Sequence, residues 1–76
     1  MNIKILGSGC SNCHRLEANV KEAANHLGID AEFEKVTDMK AIVAYGVMRT
    51  PALVVDGKVV SSGRVLSVGE AEKIIG

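Results

Sequence analysis

Residues 7–14 read Gly-Ser-Gly-Cys-Ser-Asn-Cys-His. Cys10 and Cys13 stand three apart, and His14 follows directly. Such a cluster is open to three chemistries: a redox dithiol, half of a metal site, or a haem attachment motif of the form Cys-x-x-Cys-His. Covalent haem requires a second axial ligand and an apolar pocket. The chain has one Tyr, one Phe and no Trp with which to line one. His14 therefore reads as a solvated residue in the first turn of a helix. A structural zinc site takes four ligands, and beside the cysteines the strong donors left are His14 and His26. His26 reads instead as a favourable charge near a helix C-terminus. A Cu(I) site needs only two thiolates. The two sulfurs alone thus leave a dithiol reading and a soft-metal reading open.

The elements around the pair narrow the choice. Asn2–Leu6 is short and β-rich, and Gly7, Ser8 and Gly9 end it. From Ser11 to Leu27, the apolar residues Leu16, Val20, Ala23, Ala24 and Leu27 recur at helical spacing. Gly28 then stands where a helix C-cap places glycine, with Ile29 to supply the accompanying apolar contact. Residues 31–36 alternate as a half-exposed strand. Asp38 caps a short helix over Met39–Tyr45, which Gly46 stops. Residues 51–60 read as a hairpin turning on Asp56-Gly57, a pair suited to positive φ at both turn positions. Ser67 and Glu70 form a capping box that opens a last helix ending near Ile75. The order is β-α-β-α-β-β-α. It predicts an α/β domain with a four-stranded mixed sheet and helices on both faces.

In that order Cys10 falls at the start of the first helix and Cys13 one turn inside it. Unpaired backbone N–H groups and the positive dipole end there favour a thiolate at Cys10. The Ser11-Asn12 spacer is short enough for the two sulfurs to meet in disulfide geometry.

Composition bounds the rest. Seventy-six residues are expected to make one domain spanning 1–76, 47% hydrophobic and 24% charged. Nine basic residues balance nine acidic ones, so no net field draws the chain to nucleic acid or an anionic membrane. Scarce aromatic residues also remove the stacking platforms of a single-strand binder. The N-terminus carries neither a long apolar run nor a cleavage site, so the expectation is a cytoplasmic protein with no membrane span. In that compartment a disulfide is more often transient and catalytic than structural.

The loop "GSGCSNC" resembles the metal loop of small heavy-metal-associated domains. Those domains run β-α-β-β-α-β, however, and usually carry Met two residues before the first cysteine, where this chain has Ser8. A stronger resemblance covers essentially all 76 residues. The stretches "KILGSGC", "LEANVKEA", "GIDAEFEKV", "YGV" and "TPALVVDGKVVSSGRV" are similar to those of the small thioredoxin-like family called redox-active disulfide protein 2. That resemblance implies a thioredoxin-like fold of glutaredoxin size and a thiol–disulfide oxidoreductase acting on protein disulfides. Cys10 would be the attacking cysteine, Cys13 the resolving one, and Pro51 a cis-proline beside them. Taken alone, Pro51 would be an ordinary trans-proline opening a strand; the resemblance reverses that.

Gly9, Thr50, Pro51 and Gly63 are then expected to form the surface that meets substrate, with Arg64 on the same rim. No bound cofactor and no metal are expected. The implied partners are disulfide-containing protein substrates and a thioredoxin-reductase-type electron donor, with the chain itself a monomer. Three departures from ordinary thioredoxins stand out. Gly9 replaces the Trp before the first cysteine, and Ser11-Asn12 replaces Gly-Pro between the cysteines. Lys4 stands where thioredoxins keep a buried acid. Lys4 is thus either a strand residue snorkelling to water or a modulator beneath Cys13. Partial burial would make it a neutral proton acceptor for that thiol, and as an ammonium it would stabilise the thiolate.

Overall fold

The computed structural model describes residues 1–9 and 11–76; Cys10 lies outside the described residues. The chain runs β1 (Asn2–Leu6), α1 (Ser11–Leu27), β2 (Glu32–Val36), α2 (Met39–Ala44), β3 (Ala52–Val55), β4 (Lys58–Ser62) and α3 (Val68–Ile75). This is the expected order; β2, α2 and β3 are each a residue shorter than expected, and β4 runs two residues further, to Ser62. Tyr45 is the α2 C-cap, its N–H donating back to Ile42 O and the following Gly46 N–H to Val43 O. Among the described residues no helix is long and apolar enough to cross a membrane.

The four strands lie in the order β2-β1-β3-β4. α1 carries the chain across from β1 to its parallel neighbour β2, while β3 runs antiparallel to both β1 and β4. Alternation along β1 then decides which side chains face which helices. Ile3 and Ile5, with Leu53 of β3, pack under Leu16, Val20 and Ala23 of α1 and Ala71 and Ile75 of α3. Leu6, Ala52 and Val54 face the other way, against Ile42 of α2 and Val47. Both faces of the two central strands, β1 and β3, are therefore covered.

Local chemistry fixes the connections. Ile29 N–H donates to Ala24 O at 2.9 Å and Gly28 N–H to Asn25 O at 3.2 Å, the paired bonds of a Schellman cap. In the β3–β4 turn Asp56 and Gly57 take φ of 49° and 84°, the positive values of a two-residue hairpin turn. Asp56 also explains why an aspartate serves there: its carboxylate accepts from Asn2 N–H at 2.8 Å, and its own N–H donates to Asn2 O at 2.8 Å. The turn is thereby tied to the start of β1. A bulge at Leu53/Val54 interrupts the β3–β4 register, which adds twist to the hairpin. The Ser67/Glu70 capping box is present in full. Asn19 of α1 donates to Leu66 O at 2.8 Å just before it, fastening α3 to α1.

Candidate active site

Strand register gathers the expected site residues. Leu6 pairs with Ala52 and Ala52 with Ser62. The end of β1, the start of β3 and the end of β4 thus share one edge of the sheet. Gly7 and Gly9, Thr50 and Pro51, and Gly63 all lie just beyond that edge, and α1 begins there.

Gly7 extends the ladder by one bond, its N–H donating to Val36 O at 2.9 Å. Gly9, with φ of 88°, then turns the chain into α1. Cys13 sits in the first turn of that helix with 6% of its surface exposed. It lies in a small crevice with Gly7, Gly9, His14 and Lys35. The first turn of α1 holds no acidic residue, so no carboxylate there opposes a thiolate. His14 is exposed, as expected for a solvated position.

The Thr50-Pro51 peptide bond is cis. Pro51 is buried and Thr50 exposed. Pro51 O accepts from Gly63 N–H at 2.9 Å, which holds the β4 exit against the proline. Any Cβ on Gly63 would meet the Arg49 side chain at 3.0 Å, so the Arg49 stem lies across this glycine. Arg64 turns to Glu70 of α3 instead. Its side chain serves the capping segment, although its backbone follows Gly63 on the rim. The structure thus brings Gly9, Cys13, Thr50, Pro51 and Gly63 to one end of the sheet. Cys10, the expected nucleophile, falls outside the described residues.

Lys4 requires a correction. It projects from the face of β1 opposite Ile5, and Ile5 is the β1 residue that lines the Cys13 crevice. Lys4 therefore does not lie beneath Cys13. Its ammonium donates to the Tyr45 hydroxyl at 3.2 Å and lies 3.8 Å from a Glu34 carboxylate oxygen and 5.9 Å from the centre of the Tyr45 ring. The bond to Tyr45, and then the charges of Tyr45 and Glu34, hold its pKa above the ordinary lysine value. It is an ammonium throughout the neutral range, not a neutral base, and its side chain remains 28% exposed. The snorkelling reading describes it better, with a tyrosine tip as the polar anchor.

Two features of the site were not legible in the sequence. One is an ion-pair cluster beside the crevice. Glu17, one helical turn beyond Cys13, takes Lys35 at 3.2 Å and Lys21 at 3.4 Å. Its side chain is only 13% exposed. Partial burial alone would raise the Glu17 pKa, but the bonds and charges of Lys35 and Lys21 together outweigh it and hold the carboxyl low. The Glu17–Lys21 spacing of four was visible as a helical pair; Lys35 was not, because it arrives from β2. The other feature is the contact between Gly7 and Cys13, where an ideal Cβ on Gly7 would lie 2.2 Å from the Cys13 sulfur and 3.8 Å from Thr50 Cβ. No signal beyond a strand-ending glycine marked it.

The comparisons with known proteins agree with this geometry. The family model for the thioredoxin domain matches residues 1–76. A thioredoxin of Methanothermobacter thermautotrophicus is 49% identical over 75 residues, covering 99% of this chain and 97% of that protein. A thioredoxin of Methanocaldococcus jannaschii is 42% identical over 71 residues, covering 93% of this chain and 81% of that protein. With its sheet order, its three helices and a match along its whole length, the chain belongs to the thioredoxin domain family and is a thiol–disulfide oxidoreductase.

Proposed function

We propose that this chain reduces protein disulfides through a Cys10/Cys13 dithiol–disulfide cycle. Cys10, as the thiolate favoured at the start of α1, attacks one sulfur of a substrate disulfide. The Cys10–substrate bond forms as the substrate S–S bond breaks, and the first substrate thiolate leaves. Cys13 then attacks the Cys10 sulfur. The mixed disulfide breaks, the second substrate thiolate leaves and takes up a proton, and Cys10–Cys13 remains oxidised. Two electrons have passed to the substrate, and a thioredoxin-reductase-type dithiol donor returns them. Substrate lies as an extended segment over the Thr50 backbone and Gly9, where an added Cβ would find open space. Gly63 and the Arg49 stem that covers it stand at the border of that surface. A cycle that passes through a free dithiol suits a reducing compartment, hence the cytoplasm, and the chain acts as a monomer.

The observation that carries this reading is the convergence of Cys13, Gly7 and Thr50-Pro51 at one sheet edge. Insulin-disulfide reduction driven by dithiothreitol tests it, using the wild type, Cys10→Ser and Cys13→Ser. The wild type should accelerate reduction and Cys10→Ser should not. Cys13→Ser should accumulate mixed disulfide. An anaerobic Cu(I) titration of the same samples covers the soft-metal alternative. A wild type inert towards insulin that binds one Cu(I) through both cysteines would replace the redox reading.

A further inference from the structure

Gly7 is held in place by a backbone bond to β2, and its need for glycine is not conformational. Five glycines of the chain take positive φ, and Gly7 is not one of them. A larger residue could adopt its backbone. What excludes a side chain is the Cys13 sulfur, 2.2 Å from where a Cβ would stand, with the Cys13 Cβ itself at 3.4 Å. Real carbon–sulfur contacts at 2.2 Å do not exist, so the sulfur of Cys13 occupies the space that the missing side chain leaves. Cys13 is almost fully buried, and the Gly7 N–H···O bond to Val36 keeps that floor from retreating.

We propose that Gly7 is a positioning residue for the resolving cysteine: its lack of a side chain sets where the Cys13 sulfur rests, and so the rate at which Cys13 resolves the mixed disulfide. This rests on the dithiol cycle proposed above. In the resolving step the Cys13 thiol gives up its proton and attacks Cys10. The Cys10–Cys13 bond forms, the Cys10–substrate bond breaks, and the departing substrate thiolate takes the proton. A methyl at position 7 obliges the sulfur to move by about 1 Å or to turn into another staggered χ1 well. The Cys13 Cβ is already at ordinary contact distance, so the strain falls on the sulfur alone. Misplacing a reacting atom by about 1 Å can cost ~10²-fold in rate.

Stopped-flow reaction of the reduced protein with a chromogenic aryl disulfide separates the two steps. The first aryl thiol released reports attack by Cys10, and the second reports resolution by Cys13. Gly7→Ala should leave the first phase unchanged and slow the second by roughly 10- to 100-fold. Gly69→Ala, where an added Cβ meets nothing within 4 Å, should leave both phases as they are. A folded Gly7→Ala variant whose second phase matches wild type overturns the proposal. A thermal double-mutant cycle tests the contact without any turnover. Gly7→Ala should lower the melting temperature when Cys13 is present and leave it unchanged in a Cys13→Ala background. If the loss is equal in both backgrounds, the sulfur is not what Gly7 makes room for, and the proposal fails. A wild type that releases no second thiol would instead remove the dithiol cycle, while the thermal cycle still judges the contact.

Discussion

Replacing Glu17 with Gln keeps the shape of the side chain and removes its charge from between Lys35 and Lys21. Both ammonium groups are about half exposed, so neither is stranded when the carboxylate goes; each turns to water. Each pair is therefore worth no more than a surface ion pair, at most about 1 kcal/mol. The poor exposure of Glu17 itself places the sum near that upper end, and about 1 kcal/mol is expected at pH 7. For a domain of this size that is a fall in melting temperature of roughly 4–8 °C. The sign of the pH dependence follows from the lowered Glu17 pKa. The folded state prefers the carboxylate, so its contribution is complete above the unfolded-state pKa, about 4.3. It is lost as pH falls through the lower folded-state value. Urea unfolding of both proteins from pH 7 down to about pH 2.5 measures the difference. The wild-type advantage should hold at neutral pH and vanish at the acid end. Equal stabilities at pH 7, or a gap that survives in acid, would refute the ion-pair account.

Other outcomes follow from the same structure. In a Cys10→Ser variant the buried Cys13 thiol should alkylate at least about tenfold more slowly than in the urea-unfolded chain, since reactivity follows exposure as well as ionisation; timed iodoacetamide labelling read by intact mass checks this. Lys4→Met should leave both phases of thiol release unchanged between about pH 6 and pH 9, because Lys4 occupies the face away from Cys13; a slowed second phase would restore it as a modulator. Leu53→Ala, fully buried in the α1–α3 face, should cost about 2–5 kcal/mol by denaturant unfolding, whereas Val43→Ala at 62% exposure should stay within about 0.5 kcal/mol. Ser67→Ala removes the hydroxyl that accepts from Glu70 N–H at 3.1 Å and should cost about 1 kcal/mol.

What the sequence made legible was chemistry that closes within a few residues. The Gly28 cap, the Asp56-Gly57 turn and the Ser67/Glu70 box each satisfy their own backbone groups locally, so residue type was enough to place them. Lys4 was legible as a strand residue able to reach water. Its own neighbours could not name Tyr45, forty-one residues away, and without that partner its face and charge state were open. The same limit hid Lys35 beside Glu17 and the Cys13 sulfur over Gly7: both are contacts between elements, set by the crossover of α1 onto β2. The bulge at Leu53/Val54 answers to sheet twist rather than to any residue that announces one. Thr50-Pro51 is the converse case. Its own residues favour a trans bond, and only the likeness of the whole chain to a family suggested the cis form.

The most direct test is a single turnover followed by peptide mapping. Reduced wild-type protein is mixed with a stoichiometric protein disulfide, quenched in acid, and its remaining thiols are alkylated. The Cys10/Cys13 cycle predicts two substrate thiols released per chain and a Cys10–Cys13 disulfide that neither cysteine's alkylation interrupts. Substrate reduced while Cys10 and Cys13 both remain alkylatable would contradict it.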